Sequence, residues 1–217
     1  MSQHDSKKLV CGLDEAGRGP MAGPVCAAAV ILPDDFDIAL LDDSKKLSEK
    51  RREIAMREIY LKALYWCVAW ASAPEIDEIN ILNASLLAMK RAWEGVAERL
   101  PEECLPVEVI VDGLYCPEIA VRDMHAYPRA DGNYPAVMAA SILAKTARDR
   151  MMRRYDWLYP EYGYARHKGY PTPEHINALK INGPSPIQRM TFRLKGEGQL
   201  ALFDDDRSRE GDLAGNG

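Results

Sequence analysis

The chain has 217 residues, of which 47% are hydrophobic and 28% charged, and its formal net charge is −5. That length suits one domain with a short appendage, and the composition excludes fibrous and wholly disordered classes; no apolar run reaches the roughly 20 residues of a bilayer-spanning helix. The opening MSQHDSKKLV lacks the apolar core of a secretion signal, and the five cysteines contain no CxxC pair, so a cytoplasmic protein with reduced, packed thiols is expected.

KKLVCGLD (7–14) and GPVCAAAVIL (23–32) read as two strands, adjacent and antiparallel, separated by a Gly/Pro-rich loop. From Ser48 to Leu64 the spacing of Ile54, Ile59, Leu61 and Leu64 predicts a helix, with Ser48 able to cap it. YWCVAWA (65–71) predicts a third strand, and residues 74–100 a long helix opened near Pro74 and stopped by Pro101. VEVIVDG (107–113) predicts a buried strand ending at Asp112, and a short apolar segment near Ala120 a final one. Residues 134–160, apolar and small at the start and basic at the end, predict a helix with one face on the core. Beyond Pro160 aromatic, basic and turn residues alternate around one short helix, capped by Thr172, begun by Pro173 and stopped at Gly183. The expected fold class is α/β: a mixed sheet flanked by helices, with a helical C-terminal part over about 155–192. Residues 193–217 read as a tail, acidic and poor in apolar residues from Asp204 onward.

Charge is distributed unevenly. Between Lys145 and Lys195 stand eleven bases and four acids, a net of +7. Such a segment is either a phosphate-contacting surface or a solvated helix face, and charge alone leaves both open.

Four acids stand at expected strand ends and turns: Asp14 and Glu15 in GLDEAGRGPMAGPV, Asp112 in IVDG and Asp131 in PRADGNYP. Taken singly, Asp112 and Asp131 are ordinary turn formers before glycine. Taken together, they are the donor set for hard divalent cations. Two Mg²⁺ or Mn²⁺ ions, held by carboxylate oxygens, clamp the entering and leaving oxygens of a phosphodiester. Asp14 and Glu15 are consecutive, so in a regular strand they point to opposite faces; sharing one site requires the strand to end or bulge there.

DEAGRGPMAGPV, DDSKKLS, EIDEINILNASLLAM, VDG, AASILAKTARD and YPEYGYARHKGYPTPEHINAL, in this order and spacing, resemble bacterial ribonuclease HII from about Val10 to about Phe192. The resemblance implies a ribonuclease H-like fold with a mixed five-stranded sheet and a helical C-terminal part. It implies an endoribonuclease that cleaves the RNA strand of RNA·DNA hybrids and cuts duplex DNA 5′ of single embedded ribonucleotides, leaving 3′-hydroxyl and 5′-phosphate ends. By position, the family's metal-binding acids fall on Asp14, Glu15, Asp112 and Asp131. Its ribose-reading loop falls on Gly17, Arg18 and Gly19, and the tyrosine that stacks on the next sugar falls on Tyr170. Lys45 and Lys46 would reach phosphates. Ser141 and Lys145, four apart on a predicted helix, share a face beneath the site. The chain departs from the family pattern at Leu114, Tyr115, Ala130, Asn133 and Gln188, and these changes spare the four acids.

In the tail, GEGQLALFDDD places Gln199, Leu200, Leu202 and Phe203 among polar residues. The pattern resembles the short peptides by which bacterial repair and replication proteins grip the sliding clamp; folding back on the core is the alternative. Two rivals to the nuclease reading are a resolvase or integrase of the same fold and a non-catalytic nucleic-acid-binding module. The Gly17–Gly19 loop and Tyr170 speak against the first. Four acids beside phosphates speak against the second. A monomer is expected.

Overall fold

The computed structural model describes residues 8–41, 48–104 and 107–192. A five-stranded sheet in the order β3-β2-β1-β4-β5 forms the centre. Its strands are β1 (Val10–Ala16), β2 (Val25–Ile31), β3 (Tyr65–Ala71), β4 (Glu108–Asp112) and β5 (Asp123–Tyr127). β2 runs antiparallel to β1 and β3, whereas β1, β4 and β5 are mutually parallel, so the sheet is mixed. Helices α1 (Glu49–Lys62), α2 (Ala73–Ala97) and α3 (Pro135–Leu158) flank it, followed by α4 (Tyr164–His167) and α5 (Pro173–Asn182). Among the described residues no helix is long and apolar enough to cross a membrane.

The alternation of the strands assigns the two faces. Cys11, Leu13, Val25, Ala27, Ala29, Ile31, Val109 and Val111 pack with Ala84, Ala88, Ala92 and Trp93 of α2. Cys26, Ala28 and Val30 face the other way, onto Ala139, Ala140, Ile142 and Leu143 of α3 and Ala55, Met56 and Ile59 of α1. Both layers are needed because β2 is buried along its whole length. Gly12 is where β1 touches α3. A Cβ there would sit 2.2 Å from the backbone of Ala136 and Val137, so only glycine permits this approach, which brings the N-terminal turns of α3 down to the sheet.

Helix starts follow the chemistry of their caps. Ser48 accepts from the Arg51 N–H, and Thr172 accepts from the His175 N–H. Ser72 and Glu75 form a reciprocal capping box at α2, which is kinked at Asn80 (φ 68°).

Two expectations are corrected. The final strand is Asp123–Tyr127, not the segment near Ala120: Ile119 and Val121 pack on the core from a loop, while the polar-rich DMHAY supplies the edge strand. On α1, Ile54 and Leu61 are exposed, as is Leu64 beyond its end, and the face that packs is the narrower one of Ala55, Met56 and Ile59.

Candidate active site

β4 ends at Asp112, and the sheet register carries Asp112 to the same face as Asp14. Gly12 pairs with Ile110 and Leu13 with Val111, so Asp14 follows Asp112 in line on the α3 side. Asp131 arrives from a 3₁₀ turn, Ala130–Gly132, entered through Arg129 in the left-handed region (φ 60°). The Ala130 N–H donates to Asp112 Oδ1 (2.8 Å), tying this turn to the end of β4. One carboxylate oxygen each of Asp14, Asp112 and Asp131 lies within 4.8 Å of the other two.

Glu15 is placed differently. The β1–β2 ladder continues without a bulge through Ala16, so the expected break of the strand at Asp14–Glu15 does not occur. What ends there is the pairing with β4, at Leu13. β1 therefore projects beyond its parallel neighbour, and both carboxylates border the open cleft, which is lined by Asp14, Glu15, Gly17, Arg52, Asp112, Ser141, Lys145, Arg148 and Tyr170. Glu15 stands outside the compact group of three and pairs with Arg18 (3.3 Å).

The electrostatics are those of an anionic site. Burial first, then repulsion from Glu15 and Asp112, holds the Asp14 carboxyl well above the usual carboxylate range, against hydrogen bonds from Ser141 and the Glu15 N–H. Burial also raises Glu15, and Arg18 opposes it. Lys145 is engaged by Asp149 (2.7 Å), and Arg52 lies 3.8 Å from the same acid. Like charges gathered in low dielectric are costly unless a cation joins them, so the donor set fits hard divalent ions. A second group, Glu108, Asp123 and His125, lies towards the opposite end of β4; there Asp123 is ion-paired with Lys8 and hydrogen-bonded to His125.

The Gly17–Gly19 loop is held from below. Arg189, almost wholly buried, donates from Nε to Gly23 O (2.8 Å), from Nη1 to Arg18 O (3.1 Å) and Pro20 O (2.6 Å), and from Nη2 to Gly17 O (2.6 Å). A trans peptide points its N–H opposite to its carbonyl, so the N–H groups of Arg18 and Gly19 turn away from Arg189, and both residues are exposed. Arg148, also buried, donates to Pro24 O (3.0 Å), Ala22 O (3.2 Å) and Lys168 O (3.0 Å). It thereby joins this loop to the 168–170 turn, and the Met21 N–H donates to Gly169 O across the same seam (2.9 Å). A Cβ at Gly17 would fall 2.0 Å from Arg148 Nε, and one at Gly19 would meet the Tyr170 ring at 3.4 Å. The two loops behave as one piece, with Tyr170 beside Gly19 at the cleft.

Arg148 and Arg189 belong to the basic segment, yet both are buried, so neither is part of a phosphate-contacting surface or a solvated helix face. Gln188 is buried as well, and its amide N–H donates to Met21 O (2.8 Å). Leu114 and Tyr115 are exposed after Gly113, and Ala130 is fully buried. Ser141 and Lys145 line the cleft as expected. Lys45, Lys46 and the tail residues Gln199, Leu200, Leu202 and Phe203 lie outside the described residues.

A family model described as Ribonuclease HII matches residues 11–195. A protein of Treponema denticola named Ribonuclease HII is 55% identical, over 86% of this chain and 99% of its own. The chain belongs to the ribonuclease HII family. The fold agrees: ribonuclease H2 from Pyrococcus horikoshii OT3 superposes with a TM-score of 0.69 at 28% identity, covering 85% of this chain and 93% of its own. The RNase HII of an Archaeoglobus fulgidus PCNA:RNase HII complex gives a TM-score of 0.67 at 27% identity, covering 90% of this chain and 100% of its own. The chain is thus a ribonuclease H enzyme, a nuclease whose ribonuclease HII family acts on the RNA strand of RNA·DNA hybrids.

Proposed function

We propose that the chain is a divalent-metal-dependent endonuclease that cuts hybrids, and duplex DNA 5′ of a single embedded ribonucleotide, leaving a 3′-hydroxyl and a 5′-phosphate. The observation that carries this reading is the meeting of three carboxylates, two buried and that of Asp112 half-buried, within 4.8 Å at the mouth of the Gly17–Gly19 loop. Asp14, Asp112 and Asp131 would hold two Mg²⁺ or Mn²⁺ ions, with Glu15 completing the set. When bound, such ions stabilise charge on the entering and leaving oxygens and make water a better nucleophile at neutral pH.

The protein's own contribution is recognition and placement. The outward N–H groups of Arg18 and Gly19 are suited to a ribose 2′-hydroxyl, the group that separates RNA from DNA at one position. Tyr170, next to Gly19, would stack on the following deoxyribose, where its ring leaves no room for a second hydroxyl. Lys45 and Lys46 would contact the backbone. Removal of misplaced ribonucleotides and primers, in the cytoplasm and as a monomer, is the setting this activity suits.

The test is a labelled duplex containing one ribonucleotide, incubated with Mg²⁺ or Mn²⁺ beside an all-DNA control. Cleavage just 5′ of the ribonucleotide, abolished by chelation, is expected; equal cutting of the all-DNA duplex would remove the ribose-reading role of the loop.

The tail suggests a partner. The Archaeoglobus fulgidus RNase HII was solved with PCNA, and a short apolar anchor on a polar segment suits such a docking pocket. A fluorescent peptide of residues 195–207 is expected to bind a bacterial sliding clamp in anisotropy titrations and to lose binding when Leu202 and Phe203 become alanine. No binding by the parent peptide would dispose of this partner.

A further inference from the structure

His167 and His175 take no part in the chemistry above, yet His175 is fully buried and His167 nearly so, directly beneath the loop that carries Tyr170. Their rings stack with centroids 4.4 Å apart and planes 13° from parallel, and Tyr164 meets both edge-on. Their partners fix their tautomers, because a carbonyl only accepts. His167 Nε2–H donates to Tyr162 O (2.8 Å), leaving Nδ1 to accept from the Gly169 N–H (3.2 Å). His175 Nδ1–H donates to Tyr170 O (3.0 Å). That leaves His175 Nε2 buried, with no hydrogen-bond partner among the described residues.

The bonds converge on one short turn. The Tyr170 N–H donates to His167 O (2.9 Å), and Tyr170 O accepts from the Thr172 N–H (2.8 Å) as well as from His175. Both backbone groups of Tyr170 are therefore fixed by the histidine pair and Thr172, while the residue remains 44% exposed at the cleft.

We infer that His167 and His175 form a neutral stacked prop that positions the Tyr170 ring beside Gly19, and so tunes selection of the sugar that follows the cleaved bond. The inference rests on the role given to Tyr170 above. Neutrality is built into the geometry. A proton on His167 Nδ1 would oppose the Gly169 N–H, and one on His175 Nε2 would have no acceptor among the described residues. Burial lowers the affinity of both rings for a second proton, bringing His175 down to about 4. The charged groups facing His167 are Arg166, Glu174 and Asp156; His175 faces His167 itself.

The first test needs no substrate. In the free full-length protein, the ring resonances of Tyr170, assigned through Tyr170→Phe, are expected to shift in His175→Leu. They should stay near their original positions in His175→Asn, whose amide N–H reaches the place of Nδ1–H. Unmoved resonances in His175→Leu overturn the prop whether or not any duplex is cleaved.

The second test uses the single-ribonucleotide duplex. His175→Leu is expected to lower kcat/KM about fivefold to tenfold, as for one lost hydrogen bond at a recognition loop, and His175→Asn to recover most of it. In a Tyr170→Ala background the same substitution should add little, because no ring remains to be positioned. Losses that multiply in the double variant indicate a general structural role and overturn the inference. If the wild type leaves this duplex uncut, the substrate reading falls and the resonances still decide the prop. Should His175→Leu not fold, His175→Gln replaces it; its amide reaches the Nε2 position, and equal rates and resonances for Asn and Gln overturn the inference.

Discussion

Asp14→Asn is expected to lower cleavage by about 10³-fold or more and, without metal, to make the protein harder to unfold. Both effects come from one cause. Asp14 is buried beside Glu15 and Asp112, so its negative charge is unfavourable until a cation joins the group. Asparagine keeps the shape and the oxygen that accepts from the Glu15 N–H, and it removes the charge. Because the folded-state affinity of Asp14 for a proton is raised, its stabilising contribution is full at low pH and is lost as pH rises through the folded value. The melting temperature of metal-free wild type should therefore lie a few degrees below that of the variant at pH 7, with the gap closing as the pH falls. Adding Mn²⁺ reverses the order, since ligand binding stabilises only the chain that binds it. Asp112→Asn is expected to lose cleavage to a similar degree. Its Oδ1 still accepts from Ala130, so the turn bearing Asp131 stays in place. A variant at Asp14 that cleaves at near wild-type rate, or one that melts lower than wild type in chelator, would show that these carboxylates do not form a metal site.

How much of this was legible beforehand depends on how local each signal is. β1 to β4 and α5 were readable because alternation, proline, glycine and cap residues act within a few positions of where they stand. β5 was missed because DMHAY is an edge strand with no fully buried residue, so its composition resembles a loop. The four acids stand out through their strand-end and turn positions and the family likeness. Their convergence depends on the β1–β4 register, which no short stretch encodes. The departure at Glu15 has the same origin, since it follows from where β4 stops.

The basic segment from Lys145 to Lys195 is the clearest case of information that sequence does not hold. Its net charge of +7 pointed to a phosphate-contacting or solvated surface. Yet Arg148 and Arg189 are among the largest fully buried side chains of the molecule, donating to backbone carbonyls more than a hundred residues away. Nothing in "ARD" or "IQRM" distinguishes these guanidiniums from their exposed neighbours. A glycine- and proline-rich loop, however, leaves many carbonyls without regular partners, and buried carbonyls must be satisfied by something. GRGPMAGP was therefore a sign that donors would come from elsewhere, although not of which ones.

From that demand follows the largest expected change in stability. Arg189→Met is expected to destabilise the protein by about 3–5 kcal/mol, a fall of roughly 10–15 °C in melting temperature. Methionine fills much of the space but leaves the carbonyls of Gly17, Arg18, Pro20 and Gly23 facing an apolar side chain. Arg189→Lys should recover only part of the loss, because one ammonium cannot reach four carbonyls that a planar fork meets from different sides. At a temperature where all three proteins are folded, cleavage of the single-ribonucleotide duplex should fall in the same order. The peptide planes that carry the Arg18 and Gly19 N–H groups lose their fixed orientation as the Gly17 and Arg18 carbonyls are released. A melting temperature for Arg189→Met within 2 °C of wild type would show that the loop holds its shape without the guanidinium, and an Arg189→Lys protein with wild-type cleavage would show that the fork is not what aims it.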